Sequence, residues 1–257
     1  MNHTVKPKKH LGQHFLKDIG IAEKVALLFA QSHKDFPVME IGPGMGVLTD
    51  FLLANFKDVT AVEIDTESVA YLKDHHTKHG LKLIEGDFLD KRNNHLFFER
   101  EVVIVGNYPY NISSQIVFKV LEQPEKVPAF GGMFQKEVAE RLVAKHGSKT
   151  YGILSVLLNA FYDTKYEFTV EPGVFNPPPK VKSGVISCIR KSDFDLPCSK
   201  PLFFDVVKTG FNQRRKTLRN ALHKFNLQES DEFAKLRAEQ LSVQDFIKLT
   251  QFIENKR

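Results

Sequence analysis

The sequence predicts an α/β protein: a Rossmann-like, mostly parallel sheet with an antiparallel edge, followed by a small all-helical C-terminal domain. Three observations predict it. Short apolar runs rich in β-branched residues alternate with amphipathic segments from about residue 37 to residue 145. A glycine-rich turn, Gly42-Pro43-Gly44-Met45-Gly46, follows the first such run and opens a helical segment. From residue 201 onward only helical spacing remains.

Taken in order, residues 38–41 form the first strand and 47–55 the first helix. Residues 59–64 form a second strand, 68–79 a second helix and 82–84 a third strand. The run 101–106 is bounded by Gly106 and reads as a buried parallel strand. Residues 113–122 are helical, with Ile116, Val117, Val120 and Leu121 on one face. Residues 129–135 suit a fifth strand. Two late strands, 166–170 and 185–189, flank Pro177-Pro178-Pro179 and suit an antiparallel edge. Residues 193–201 are polar, contain two prolines and read as a linker. Helical segments follow at 202–209, 214–225, 231–236 and 243–253. The expected domains are therefore 1–192 and 201–257.

The formal charge of +5 is unevenly spread. Residues 201–257 hold 11 Lys/Arg against 7 Asp/Glu, whereas residues 1–200 hold 25 against 24. A basic tail region on a near-neutral body suits a polyanionic partner. No apolar run is long enough to span a membrane, so none is expected as a partner. The first ten residues are basic and lack the apolar core of a signal peptide. Cys188 and Cys198 form neither a disulfide framework nor a metal-ligand pattern. No metal is expected, and a reducing cytoplasm is the expected compartment.

Open α/β sheets bind ligands at the carboxyl ends of their strands. Gly42 and Gly44 allow a tight turn and close approach of a ligand there. Their Gly-x-Gly-x-Gly spacing differs from the Gly-x-Gly-x-x-Gly of dinucleotide enzymes. Glu63 ends the second strand, placed to accept from ribose hydroxyls. Asp87 follows the third, placed to accept from an adenine amine, with Phe88 against the ring. Three such residues in succession indicate a nucleoside cofactor. The fourth strand ends in Asn107-Tyr108-Pro109-Tyr110. Asn107 offers a carbonyl oxygen to an N–H, Pro109 stiffens the turn, and Tyr110 offers a stacking face. A flat base with an exocyclic amine fits these groups. Asn-x-Pro-Tyr at this position resembles the signature of amino-group methyltransferases acting on adenine.

Assembled, these segments resemble the ribosomal RNA adenine dimethylases over nearly the whole chain, and the bacterial small-subunit branch above all. Lys8-Lys9-His10-Leu11-Gly12-Gln13-His14-Phe15-Leu16 resembles the N-terminal motif of that family. Glu40 to Gly46 resembles its cofactor loop, and Asn107 to Tyr110 its catalytic turn. Gln135-Lys136-Glu137-Val138, Phe175-Asn176-Pro177-Pro178-Pro179-Lys180-Val181 and Phe211-Asn212-Gln213-Arg214-Arg215-Lys216-Thr217-Leu218-Arg219 are also similar. Two departures stand out: His14 replaces the usual Asn, and Tyr108 the usual Leu.

The resemblance implies methyl transfer from S-adenosylmethionine to N6 of two adjacent adenosines in a 3'-terminal hairpin of 16S rRNA, during assembly of the 30S subunit. Asn107 Oδ1 and the Tyr108 backbone carbonyl would accept the N6 protons, with Asn107 also near the cofactor. Tyr110 would stack on one face of the base and Phe175 on the other. Residues 12–16 would fold over the cofactor, with His14 and Leu16 touching it. Arg214, Arg215, Lys216 and Arg219 place four positive charges in six positions, which suits phosphate contact. A monomer acting on immature 30S particles is expected. The competing readings are a 23S rRNA dimethylase, an RNA-binding assembly factor, and a nicotinamide oxidoreductase. The glycine spacing disfavours the last.

Overall fold

The computed structural model describes residues 5–256, so residues 1–4 of the basic N-terminal run and residue 257 lie outside the described residues. Nine strands occur among the described residues. They are β1 Phe15–Leu16, β2 Val38–Ile41, β3 Val59–Glu63, β4 Lys82–Glu85, β5 Val103–Asn107, β6 Ala129–Gln135, β7 Tyr162–Val170, β8 Phe175–Asn176 and β9 Ser183–Arg190. Seven of them form one sheet in the order β4-β3-β2-β5-β6-β9-β7. The pairs from β4 through β6 are parallel, and β9 returns antiparallel to β6. β1 pairs apart from the sheet with β8.

The chain runs outward through β2, β3 and β4, then restarts on the other side of β2 with β5. The carboxyl ends of β2 and β5 therefore flank the crevice where the winding direction reverses, the place such sheets bind ligands. β2 is buried at all four positions, which explains its unbroken apolar run apart from Glu40.

By contact the chain divides into two compact units. One holds the residues up to 139 and 165–190; the other holds 140–164 and 191–257. Residues 140–164 thus fall with the C-terminal helices, where the sequence reading had put them with the sheet. The helix Ile153–Phe161 gives the reason. Leu154, Val156, Leu157, Leu158, Ala160 and Phe161 are all buried, so its apolar surface is too broad for one covering face. Within its unit it meets the helix Lys200–Asn212, where Phe161 and Phe204 rings lie 6.4 Å apart.

The expected helix over 214–225 is corrected. Residues 213–216 form a turn, followed by the short helix Leu218–Ala221 and a 3-10 turn, His223–Phe225. The backbone N–H groups of Leu218 and Arg219 donate to the carbonyls of Leu236 and Ala234 (2.7 and 3.0 Å). Those bonds tie the segment to residues 231–236, which form turns rather than the expected helix.

β5 and β6 pass unusually close at Gly106 and Gly132. A Cβ on Gly132 would lie 2.1 Å from the Gly106 carbonyl oxygen and 2.9 Å from the Tyr108 ring, and Gly132 has φ of 140°. Alanine there combines overlap with strain, so Gly132→Ala is expected to cost at least about 2 kcal/mol. Gly147→Ala meets only the φ of 84°, with open space around it, and is expected to cost about 1 kcal/mol. Urea unfolding of both variants checks the ordering.

Candidate active site

A cavity of about 930 Å³, counting its open mouth, lies at the carboxyl ends of β2, β3, β4 and β5. Of the residues expected from the sequence, Gly42, Gly44, Glu63, Asp87, Phe88, Asn107, Tyr108, Pro109, Tyr110 and His14 all line it.

The glycine loop is shaped for close approach. Gly42, Gly44 and Gly46 have φ of 68°, 59° and 81°. A Cβ on Gly44 would lie 2.8 Å from the Phe15 ring, so the N-terminal segment packs directly on this loop. The backbone N–H of Gly44 donates to Glu63 Oε2 (3.1 Å), and those of Ile64 and Asp65 donate to Oε1 (2.9 and 2.8 Å). Glu63 is thus both a wall of the cavity and the anchor of the loop. Burial raises its pKa, against the three backbone donors that lower it. A carboxylate has about four acceptor directions, so one remains for a ligand.

Asp87 uses Oδ1 to accept from the Leu89 N–H (2.8 Å), and Oδ2 has no partner among the described residues. Phe88 is buried against Phe97 and Phe98, with rings 5.2 and 6.1 Å away. Its ring serves the core more than the cavity.

At the end of β5, Asn107 Nδ2 donates to the His14 carbonyl (3.0 Å). A carbonyl can only accept, so the amide turns its Oδ1 away from that contact, and Oδ1 has no hydrogen-bond partner among the described residues. Tyr108 borders the cavity, but its ring lies in the core beneath Gly106 and Gly132. Its hydroxyl donates to the Gly131 carbonyl (2.6 Å), and its ring meets Phe134 at 4.8 Å. The departure from Leu is absorbed there, away from the cavity wall. The Tyr110 hydroxyl bonds Ser183 Oγ at 2.5 Å, which pins the ring.

Two expectations, Phe175 and Leu16, are corrected, and His14 carries a contact the sequence did not suggest. Phe175 is 1% exposed in the hydrophobic core, paired with Leu16, and does not line the cavity. Leu16 is also core, touching only a smaller neighbouring cavity shared with Glu40 and Asn107. Both belong to the β1–β8 ladder, whose inward residues cover the sheet. His14 reaches the cavity, yet its ring lies over Tyr110 (centroids 5.4 Å apart, 30° between planes) and its Nδ1 donates to the Pro177 carbonyl at 2.7 Å. One face of Tyr110 is therefore already covered by an imidazole.

The segment over the cavity has a second fastening that the sequence reading missed. Lys8 Nζ pairs with Asp65, Gln13 Nε2 donates to Asp65 Oδ2 (3.2 Å), and the Lys8 N–H donates to Gln13 Oε1 (2.8 Å). Burial pushes the Asp65 pKa up, but the bonds from Lys8, Gln13 and Ser68 outweigh it and the net shift is down. Asp65 also caps the helix Thr66–His75, a role legible in Asp65-Thr66-Glu67-Ser68.

Glu40 was also missed. It is 1% exposed, and Thr49 Oγ1 donates to it at 2.5 Å. Burial, with only the Thr49 bond opposing it, pushes its pKa up to about 8. The signal was an acidic residue inside an otherwise apolar strand.

Within the helical unit, Arg214 and Arg219 are already paired, with Glu239 and Glu229. Arg215 and Lys216 are exposed and make no ion pair among the described residues. No helix among the described residues is long and apolar enough to cross a membrane, and they contain no group of three metal-ligating side chains.

Residues 4–255 match the family described as ribosomal RNA adenine dimethylase. The chain is 57% identical over 253 residues to the ribosomal RNA small subunit methyltransferase A of Flavobacterium johnsoniae, covering 97% of each. It is 53% identical over 255 residues to the protein of the same description from Bacteroides thetaiotaomicron, covering 97% of this chain and 95% of that one. A solved dimethyladenosine transferase from Plasmodium falciparum superposes with a TM-score of 0.80 at 27% identity, over 95% of this chain and 98% of the other. The 23S rRNA methyltransferase ErmE shares the fold, with a TM-score of 0.66 at 23% identity over 92% and 99%.

Glu40 gives a pH signature. In the unfolded chain its carboxyl ionises near 4.5; in the fold it stays protonated to about 8. Folding takes up a proton between those values, so this residue makes stability fall as pH rises through that window, by at most about 1.4 kcal/mol per pH unit. Glu40→Gln removes the term. Unfolding measured at several pH values between 5 and 8 is expected to show a flatter profile for the variant, and an unchanged slope would refute the assignment.

Proposed function

The chain belongs to the ribosomal RNA adenine dimethylase family, and we propose that its cavity holds S-adenosylmethionine beside an adenine whose N6 is methylated. It is a ribosomal RNA methyltransferase that forms N6,N6-dimethyladenosine in the small-subunit RNA. The observation that carries the site reading is the free Oδ1 of Asn107, turned out at the end of β5 by the Nδ2 bond to His14.

The residues present fit the donor. Glu63 keeps an acceptor direction for ribose hydroxyls, Asp87 Oδ2 is open to an adenine amine, and Gly44 lines the cavity beside them. Bound there, the sulfonium supplies an already activated methyl group. What remains for the protein is alignment and charge stabilisation. Asn107 Oδ1 and the Tyr108 carbonyl accept from the N6–H bonds and favour the nitrogen as it turns pyramidal and partly positive. Pro109 holds that turn. The base replaces the His14 imidazole on Tyr110: the existing ring contact is worth about 1 kcal/mol, against roughly 1–3 kcal/mol for a base stacked on an aromatic ring. Such a base must leave its own helix.

We further propose that the acceptor is two adjacent adenosines in a 3'-terminal hairpin of 16S rRNA, presented by an immature 30S particle to a monomeric, cytoplasmic enzyme. The two cysteines are free thiols, which suits a reducing compartment. Methylation of unmethylated small-subunit particles, with mapping of the modified adenines, tests this. Incorporation at N6 of adjacent adenines supports it; cofactor binding without incorporation overturns it in favour of an assembly factor.

Asn107→Ala is expected to lower turnover roughly a hundredfold or more, as for loss of one pre-organised partner of the reacting atom. The variant also loses the His14 tie, so cofactor affinity should fall modestly alongside. Near-normal single-turnover rates would sink the role given to Oδ1. Glu63→Ala should weaken S-adenosylmethionine binding by roughly 1–3 kcal/mol and lower the melting temperature, because three backbone donors lose their acceptor together. Calorimetry showing unchanged affinity would remove Glu63 from the site.

A further inference from the structure

In the helical unit, Arg214 is exposed and reaches across the surface to the loop around residues 145–149. Its Nη1 donates to the Lys149 carbonyl (3.0 Å) and its Nε pairs with Glu239. The Gly147 N–H donates to the Glu239 carbonyl (2.9 Å). Three bonds therefore fasten the loop around residues 145–149 beside the turn 213–216, although some 65 positions separate them in sequence. Lys145 and Lys149 in the loop, and Arg215 and Lys216 in the turn, are exposed and form no ion pair among the described residues. Arg214 also neutralises Glu239, the acidic residue held between the two segments.

We infer that the 145–149 loop and the 215–216 turn form one RNA-phosphate surface, with Lys145, Lys149, Arg215 and Lys216 as its contacts and Arg214 as its positioning residue. The inference rests on the proposed small-subunit RNA substrate and on the expectation that the basic run Arg214 to Arg219 contacts phosphate. Charge decides the partner: four cations without an ion pair among the described residues, on two joined loops with Glu239 between them already paired, present a sequence-independent polyanion site. The RNA substrate is the polyanion this enzyme must hold.

The test uses the full chain and unmethylated small-subunit particles, with binding measured across a salt series. Lys145→Gln/Lys149→Gln is expected to weaken binding about tenfold near 0.15 M salt and to lower the salt slope by between about one and two. Arg215→Gln/Lys216→Gln should do the same. Arg214→Gln should reproduce the loop loss, and adding the two loop changes to it should cost little more, because the loop is already released. Cofactor affinity and melting temperature of the two surface pairs should match the parent. If the loop pair binds like the parent while the turn pair is weakened, RNA binding by this unit stands and the joint surface is overturned. If neither pair changes affinity or slope, the RNA reading of the unit falls as well. Full additivity between Arg214→Gln and the loop pair overturns the positioning role.

Discussion

The hydrogen bond from the Asn107 amide to the His14 carbonyl is the contact on which the site depends. It fixes which end of the amide faces the cavity, and it fastens the N-terminal segment across the cavity mouth. The segment is held at both ends: by Lys8 and Gln13 on Asp65 at one side, and by the β1–β8 ladder at the other. Between those fastenings Phe15 presses on Gly44, so the glycine loop, the N-terminal segment and the Asn107–Tyr110 turn form one packed unit. A shift in any of the three moves Asn107 Oδ1, the proposed acceptor. Geometry of that kind matters most where the chemistry is alignment of two reactants rather than acid–base work.

The two buried glutamates on β2 and β3 are separated by their surroundings. Glu63 is buried but receives three backbone N–H groups, so its charge has compensation and its oxygens have fixed directions. Glu40 receives only the Thr49 hydroxyl, and burial keeps it protonated well above the ordinary carboxylate range. A charge costs several kcal/mol to bury without partners, and the count of donors decides which residue can remain an anion.

The basic cluster divides the same way. Four cations within six positions look equivalent in the sequence, yet two of them are spent on Glu239 and Glu229. The turn at 213–216 replaces the expected helix because the next backbone donors are claimed by residues 234 and 236. Charges that a helix would have fanned around its axis are instead set beside a distant lysine-bearing loop.

The sequence by itself determined the parallel strands β2 to β6, the three helices that link them at 47–55, 68–79 and 113–122 to within a few residues, and the strand ends at which Gly44, Glu63, Asp87 and Asn107 meet, but not the helix Ile19–Ala26. Those follow from local periodicity and from turn chemistry, both of which act over a few residues. The helices 47–55 and 113–122 and the strand 129–135 have the limits the pattern implies. Tertiary structure decided what periodicity cannot encode. Phe175 and Leu16 read as site residues, but pairing of β1 with β8 turns them into the core. Helix 153–161 is apolar on all but the Ser155–Asn159 stripe, so only packing assigns it to the helical unit. His14 lies on Tyr110 because Pro177, 163 residues away, offers its ring a carbonyl. Side-chain partners separated by tens to hundreds of positions are brought together by long-range closure, and no local propensity records which of two competing partners a group will take.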